Sequence, residues 1–360
     1  MIRVLVVDDS LTVRKTVAER LRAAGYQVVG EAADGREAVI LTHQLRPDVV
    51  LMDVVMPGVD GLAATRQIMS EIPTPVVILS GHANQKEVFK TYDALAAGAL
   101  EVCAKPATGS PQGQAEWDQI LMTIGAAAQV AVTRLRPRAT TPNVGSSSRA
   151  GLLATSTAEP RRKIVVIGAS TGGPAAVKVI LGNLPREFPL PIVVAIHCNN
   201  RLSSSVASWF DRECSLHVSD ALGGEPLPKG PGVVLTAPPG RNLRIFRGRT
   251  VLDDATENAG CAPSVDELFV SAAEQIGDAT IGVLLTGMGA DGAEGLKRIK
   301  DRGGCTIAQD EDSCVVFGMP AAAIKLGAVE HITPLQEIPQ LLTQLAGSSR
   351  RTGKPAGVQP

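Results

Sequence analysis

Residues 163–174 read KIVVIGASTGGP, an apolar run and a glycine-flanked serine, and the helical stretch AAVKVILGNL follows at 175–184. The run is short and rich in β-branched residues, so it reads as a buried strand. Ser170 then sits in Gly168-x-Ser170-x-Gly172, the strand–turn–helix setting of a nucleophile elbow. Glycines on both sides permit the tight turn, and the N-terminus of the following helix offers N–H groups and a positive dipole to an oxyanion. Two other readings compete, a helix-capping serine and a dinucleotide-phosphate loop. GASTGG lacks the G-x-G-x-x-G spacing, and the next strand, PIVVAIH at 191–197, has no terminal acid for a ribose hydroxyl.

Working outward, His197 closes that next strand and should emerge at the same carboxyl edge as Ser170. His217 lies in a polar stretch and His331 near the chain end, so both are weaker candidates. TIGVLLTGMGADGAEG, at 280–295, runs a strand into glycines and delivers Asp291, whose plainer role would be to cap the helix after it. Ser170, His197 and Asp291 together predict a catalytic triad of nucleophile, general base and orienting acid. Their order differs from the Ser-Asp-His order of α/β-hydrolases, so a separate fold is expected.

The same alternation fills residues 1–125. IRVLVV, QVVGEA, DVVLMD, PVVILS and ALEVCAK read as strands between amphipathic helices, and KIVVIGAS, PIVVAIH, GVVLTA, LRIF and TIGVLLTG as strands of the second half. Regular β–α alternation predicts an α/β fold class, with two doubly wound parallel-sheet domains. In a sheet ordered 2-1-3-4-5, the residues ending strands 1, 3, 4 and 5 converge near the switch point: Asp8 and Asp9, Asp53, Ser80, and Lys105 before Pro106. Crowded carboxylates need a hard cation such as Mg²⁺. A phosphoryl group on Asp53 would be neutralised by Mg²⁺ and Lys105 and hydrogen-bonded by Ser80. The plainer reading makes Asp8 and Asp9 turn formers and Lys105-Pro106 a strand terminator.

Between these halves, 13 of the 24 residues from Pro137 to Pro160 are Ser, Thr, Gly or Pro, which marks a linker. The expected layout is a first domain at 1–125, a linker at 126–161, a second domain at 162–347 and a disordered tail at 348–360. The formal net charge is -1, and basic and acidic residues number 11 and 15 in 1–130 and 17 and 20 in 161–347. Neither half attracts nucleic acid electrostatically, and an acidic second half that begins with a strand argues against a helix-turn-helix regulator. The six cysteines show no C-x-x-C pair and no metal-ligand spacing, which reads as free thiols in a reducing cytosol. No apolar run approaches the roughly 18 residues of a membrane helix, so a cytoplasmic protein without membrane insertion is expected.

VLVVDDS, DVVLMDVVMPGVDG, PVVILSG and AKPA resemble, in order and spacing, the response-regulator receiver domain, which has a flavodoxin-like fold. The resemblance implies that a histidine kinase phosphorylates Asp53, that Asp8, Asp9, Asp53 and the carbonyl of Val55 serve Mg²⁺, and that Ser80 senses the phosphoryl group. Val102 stands where that family often has an aromatic switch residue.

GASTGGP, PSVDELF, LLTGMGADGAEGL and QDEDSCVVFGMPAAAI resemble the Rossmann-like catalytic domain of chemotaxis protein-glutamate methylesterases. A receiver, a linker and this domain is also that family's architecture. The resemblance implies a serine hydrolase acting on glutamate γ-methyl esters of methyl-accepting chemoreceptors, with deamidation of receptor glutamines. It assigns active-site lining or oxyanion support to Thr171 and Met288, and requires no cofactor for the esterase. Ile196, Cys198, Asn199 and Arg241-Asn242 depart from the family pattern and bear on substrate preference. The other reading they motivate is a phosphorylation-controlled binding protein whose esterase-like domain is inactive. The unmodified receiver is expected to cover the Ser170 cleft.

Overall fold

The computed structural model describes residues 1–81, 85–106, 111–129, 163–197, 206–254 and 262–347. The expected linker, apart from its first residues, and the expected tail lie outside them, as do Cys198, Asn199 and Cys261. The N-terminal domain runs β1 (Arg3–Val7), α1 (Leu11–Ala23), β2 (Gln27–Ala32), α2 (Gly35–Leu45), β3 (Val49–Asp53), α3 (Gly61–Glu71), β4 (Val76–Ser80), α4 (Gln85–Ala96), β5 (Glu101–Ala104) and α5 (Pro111–Ala127). Its strands pair in parallel in the order β2-β1-β3-β4-β5, as the sequence predicts. Ser10, Asp34 and Asp60 accept hydrogen bonds from backbone N–H groups of the first turns of α1, α2 and α3. These caps start each helix soon after a strand, which keeps the loops at the carboxyl edge short.

The C-terminal domain runs β6 (Ile164–Ala169), α6 (Gly173–Asn183), β7 (Ile192–Ile196), α7 (Val206–Glu213), β8 (His217–Asp220), β9 (Val233–Thr236), β10 (Arg241–Phe246), β11 (Arg249–Asp254), α8 (Val265–Gln275), β12 (Thr280–Leu284), α9 (Ala293–Asp301), β13 (Cys305–Gln309), α10 (Met319–Lys325), β14 (His331–Thr333) and α11 (Ile338–Gly347). Seven strands form a parallel sheet ordered β14-β13-β12-β6-β7-β9-β8. Every residue of β6, β7, β12 and β13 is buried. Helices on both faces of a parallel sheet explain why burial is unbroken along these strands. The chain leaves β6 for one side of the sheet and returns to β12 on the other, so the crevice above these strands is the switch point where such sheets bind ligands.

LRIF joins no main sheet: β10 pairs antiparallel with β11 as a separate hairpin. The two domains share buried side chains. Tyr92 of α4 stacks on Trp209 of α7 with ring centroids 5.7 Å apart, and the Trp209 indole N–H donates to Asp93 Oδ1 at 2.9 Å. Val315 and Val316 join the apolar cluster that holds Ile120 and Ile124 of α5.

Candidate active site and phosphoacceptor site

β6 and β7 pair Ala169 with Ile196, and the His197 N–H donates to the Ala169 carbonyl at 3.0 Å. Ser170 and His197 therefore leave neighbouring strands side by side. On the other flank of β6, the Ser170 N–H donates to the carbonyl of Thr286, just beyond β12, at 3.0 Å. The turn closes through the Gly173 N–H and the Ser170 carbonyl at 2.7 Å. Gly172 has φ +77, and a Cβ there would lie 2.7 Å from Val315 Cβ, so only glycine fits. Thr171 is fixed by its carbonyl, which accepts from Thr286 Oγ1 at 3.0 Å.

Asp291 crosses from the loop after β12 to His197, with Nε2 and Oδ2 2.6 Å apart. It caps no part of α9, which starts from Gly292 without a side-chain cap. Instead it sits at the N-terminus of α8, where it accepts from the N–H groups of Val265 at 2.8 Å and Asp266 at 2.9 Å and from Ser264 Oγ at 3.2 Å. Burial pushes the Asp291 carboxyl up, but His197 and these N–H donors outweigh it and hold it at about 2. An ionised Asp291 only accepts, so the hydrogen lies on Nε2, and Nδ1 is the ring nitrogen that can take a proton. Among the described residues no hydrogen bond joins Ser170 Oγ to His197; in a free enzyme such contacts are often long and tighten with substrate.

The clamp on Asp291 is the part of the site that sequence reasoning left without a physical role. Its signal was present, because Ser264-x-x-Glu267 is a capping-box spacing, and Ser264 Oγ accepts from the Glu267 N–H at 3.3 Å. Asn242, one of the departures, is buried; its Oδ1 accepts from the Ser264 N–H at 2.9 Å and its Nδ2 donates to Glu267 Oε1 at 3.0 Å. This side chain positions the start of α8. A second brace comes from buried Gln309, whose Oε1 accepts from the Thr286 N–H at 2.9 Å and whose Nε2 donates to the Ser313 carbonyl at 2.7 Å.

Asp266 accepts from the Gly295 N–H at 2.7 Å, and burial, with the nearby Asp291 charge, pushes its carboxyl up to about 6. Between the ordinary value of 3.8 and about 6 the folded state then holds more protons than the unfolded one, so stability falls as pH rises through that window. Asp266→Asn keeps an acceptor for Gly295 and is expected to flatten that decline, measured as urea midpoints from pH 4 to 6.5; an unchanged slope would place the proton elsewhere.

Met288 is 46% exposed and, with Glu311, Cys314, Val316, Phe317 and Gly318, lines one wall of a cleft of about 760 Å³. The opposite wall is α5 of the N-terminal domain, through Met122, Gly125 and Ala126, with Gln129 just beyond its end. Burial pushes the Glu101 carboxyl of β5 up, and His197 lies near enough to act on it in the opposite sense.

In the N-terminal domain Asp8, Asp53 and Ser80 are buried at the carboxyl edge, and Lys105 Nζ lies 2.8 Å from both Asp8 Oδ2 and Asp53 Oδ2. Burial pushes the Asp53 carboxyl up, Lys105 pulls it down, and the balance is upward. Asp8, Asp9 and Asp53 bring carboxylate oxygens within 4.8 Å of one another. Three carboxylates against one lysine leave surplus negative charge and an all-oxygen donor set, which fits a hard divalent cation. Ser80 Oγ accepts from Thr91 Oγ1 of α4 at 3.2 Å, and the Val55 N–H donates to Asp53 Oδ1 at 3.4 Å.

The family model described as CheB methylesterase matches residues 165–342, and the one described as response regulator receiver domain matches residues 4–110. Protein-glutamate methylesterase/protein-glutamine glutaminase 2 of Anaeromyxobacter dehalogenans is 42% identical over 350 residues, 96% of this chain and 97% of its own. The chain belongs to the CheB methylesterase family. A protein-glutamate methylesterase/protein-glutamine glutaminase of Nitrosospira multiformis is 40% identical over 98% of this chain and 99% of its own. The Thermotoga maritima CheB methylesterase catalytic domain is 40% identical, with a TM-score of 0.48 over 51% of this chain and 98% of that one. Both domains of the family are thus present, in the order read from the sequence. Among the described residues no helix is long and apolar enough to cross a membrane.

Proposed function

We propose that the protein is a phosphorylation-activated serine hydrolase of chemotaxis adaptation. It removes γ-methyl esters from glutamates of methyl-accepting chemoreceptors and deamidates receptor glutamines. The observation that carries this reading is the 2.6 Å contact of His197 with Asp291 at the end of β7, beside the strand that Ser170 follows. Ser170 Oγ attacks the ester carbonyl while His197 Nδ1 takes its proton, and that proton passes to the departing methoxide to give methanol. Water then attacks the acyl-enzyme, with His197 as base, and releases glutamate and free Ser170. From a glutamine the same intermediate forms with loss of ammonia. Thr171 and the N-terminus of α6 support the oxyanion, and Met288 lines the substrate's approach.

A chemotaxis histidine kinase donates the phosphoryl group to Asp53. Asp8, Asp9, Asp53 and the carbonyl of Val55 hold Mg²⁺, whose charge, when bound, neutralises the phosphoryl oxygens. Lys105 supplies a second positive charge and Ser80 a hydroxyl donor. The enzyme works in the cytoplasm, without nucleic acid, as a receiver at 1–125 joined by a linker at 126–161 to a catalytic domain at 162–347, with a tail at 348–360.

Release of labelled methanol from methylated receptor, with and without a small phosphodonor, tests the reading. The expected result is release that the phosphodonor accelerates. No release, together with failure of a fluorophosphonate to label Ser170, would overturn it in favour of a catalytically inactive binding protein.

A further inference from the structure

At the amino edge of the C-terminal sheet, away from Ser170, strands β13 and β14 bring together three side chains with no part in the hydrolysis. They are Cys305, Glu330 and His331, and the Cys305 Sγ, a Glu330 carboxylate oxygen and a His331 ring nitrogen all lie within 4.8 Å of one another. The sequence hid this group, because the cysteine stands 25 residues before the Glu-His pair. The sheet register assembles it: Ile307 pairs with His331, so Cys305, two residues earlier, falls on the same face.

We propose that Cys305, Glu330 and His331 form a binding site for a borderline divalent metal ion of the zinc class. Ligands about 2.0–2.3 Å from zinc stand roughly 3.3–3.8 Å apart in a tetrahedron, so side-chain rotations closing about 1 Å complete the site. Thiolate, imidazole and carboxylate favour zinc over magnesium, which takes oxygen donors. Water fills the fourth position.

The ladder holds the donors in advance. The Glu330 N–H donates to the Thr306 carbonyl at 3.1 Å and to Thr306 Oγ1 at 3.0 Å, and the Thr306 N–H donates to Glu330 Oε2 at 3.3 Å. Cys305 is 2% exposed and in no disulfide, whereas Glu330 is exposed, which leaves the ion a path from solvent. β14 is a three-residue edge strand, short of its own pairing energy. A metal shared between β13 and β14 fastens that edge. Binding displaces the thiol proton, so affinity weakens as pH falls.

Cobalt(II) titration of the full chain, with Mg²⁺ in excess to occupy the receiver carboxylates, tests this. A thiolate-to-cobalt charge-transfer band should saturate at one equivalent and disappear on adding zinc. Carboxylates alone give no such band. Cys305→Ser and His331→Ala should each abolish the band or weaken cobalt binding at least tenfold, while methanol release stays unchanged. Zinc should raise the thermal midpoint of the wild type but not of His331→Ala. His331→Ala, on the edge strand, carries the test if the buried Cys305→Ser does not fold. Absence of the band in the wild type, or its persistence at full strength in His331→Ala, overturns the proposal.

Discussion

Ser170→Ala is expected to lower methanol release by at least about 10³-fold, the scale on which hydrolases of this kind lose activity without their nucleophile. The fold should survive, because the elbow is held by backbone bonds from Ser170 to Thr286 and Gly173, none of which uses the hydroxyl. KM should change little, since deleting the attacking hydroxyl leaves the other substrate contacts in place. His197→Gln should lose a similar factor, and the double variant should be no worse than either single one, because the two residues act as a unit. Asp291→Asn should cost roughly 10³- to 10⁴-fold, the imidazole losing its fixed tautomer and the stabilisation of its protonated form. Near-normal methanol release by Ser170→Ala in a folded protein would end the covalent mechanism.

Asp53→Asn in the full chain is expected to abolish stimulation by a small phosphodonor, against an acceleration of about tenfold or more in the wild type. Tenfold corresponds to about 1.4 kcal/mol of differential stabilisation between covered and open states. That difference arises at the contacts of α4. A phosphoryl group on Asp53, carrying about -1.5 to -2 charge, competes for the Ser80 hydroxyl, which now accepts from Thr91 of α4. The next two residues of α4, Tyr92 and Asp93, are those that hold Trp209. Releasing Thr91 loosens the helix that docks the domains, a route that needs no aromatic side chain at Val102. Removing residues 1–160 should bring basal activity to the stimulated level, since the α5 wall of the cleft is then gone. Unchanged activity on truncation would reject covering by the receiver while leaving the esterase intact.

Much of this was legible in the sequence because strand ends announce themselves. Uninterrupted apolar runs stop at Asp8, Asp53, Ser170 and His197, and in a parallel sheet the carboxyl ends share one edge. Four strands escaped, β8, β11, β13 and β14, and in three of them burial gives no periodic signal. HVSD in β8 and HIT in β14 are short edge strands, and CTIAQ in β13 is buried yet half polar, because Gln309 turns inward to brace Thr286. Asp291 was found, but its clamp was not. Ser264-x-x-Glu267 marks the start of α8, but the hydrogen bonds from that start to Asp291 join residues 25 to 27 positions apart, so no local spacing ties the two together. The Cys305, Glu330 and His331 group was missed for the same reason, since strand register is a property of the sheet and not of the letters.

The stacked pair between α4 and α7 also gives the protein its own optical gauge. Of the two tryptophans, Trp117 lies in the apolar cluster around α5, under the Arg20 guanidinium, while Trp209 is fully covered at the seam between α4 and α7. Separation of the domains would wet the Trp209 indole and take away its acceptor on Asp93. A shift of emission to longer wavelength would then follow the opening in real time, without a dye and without substrate.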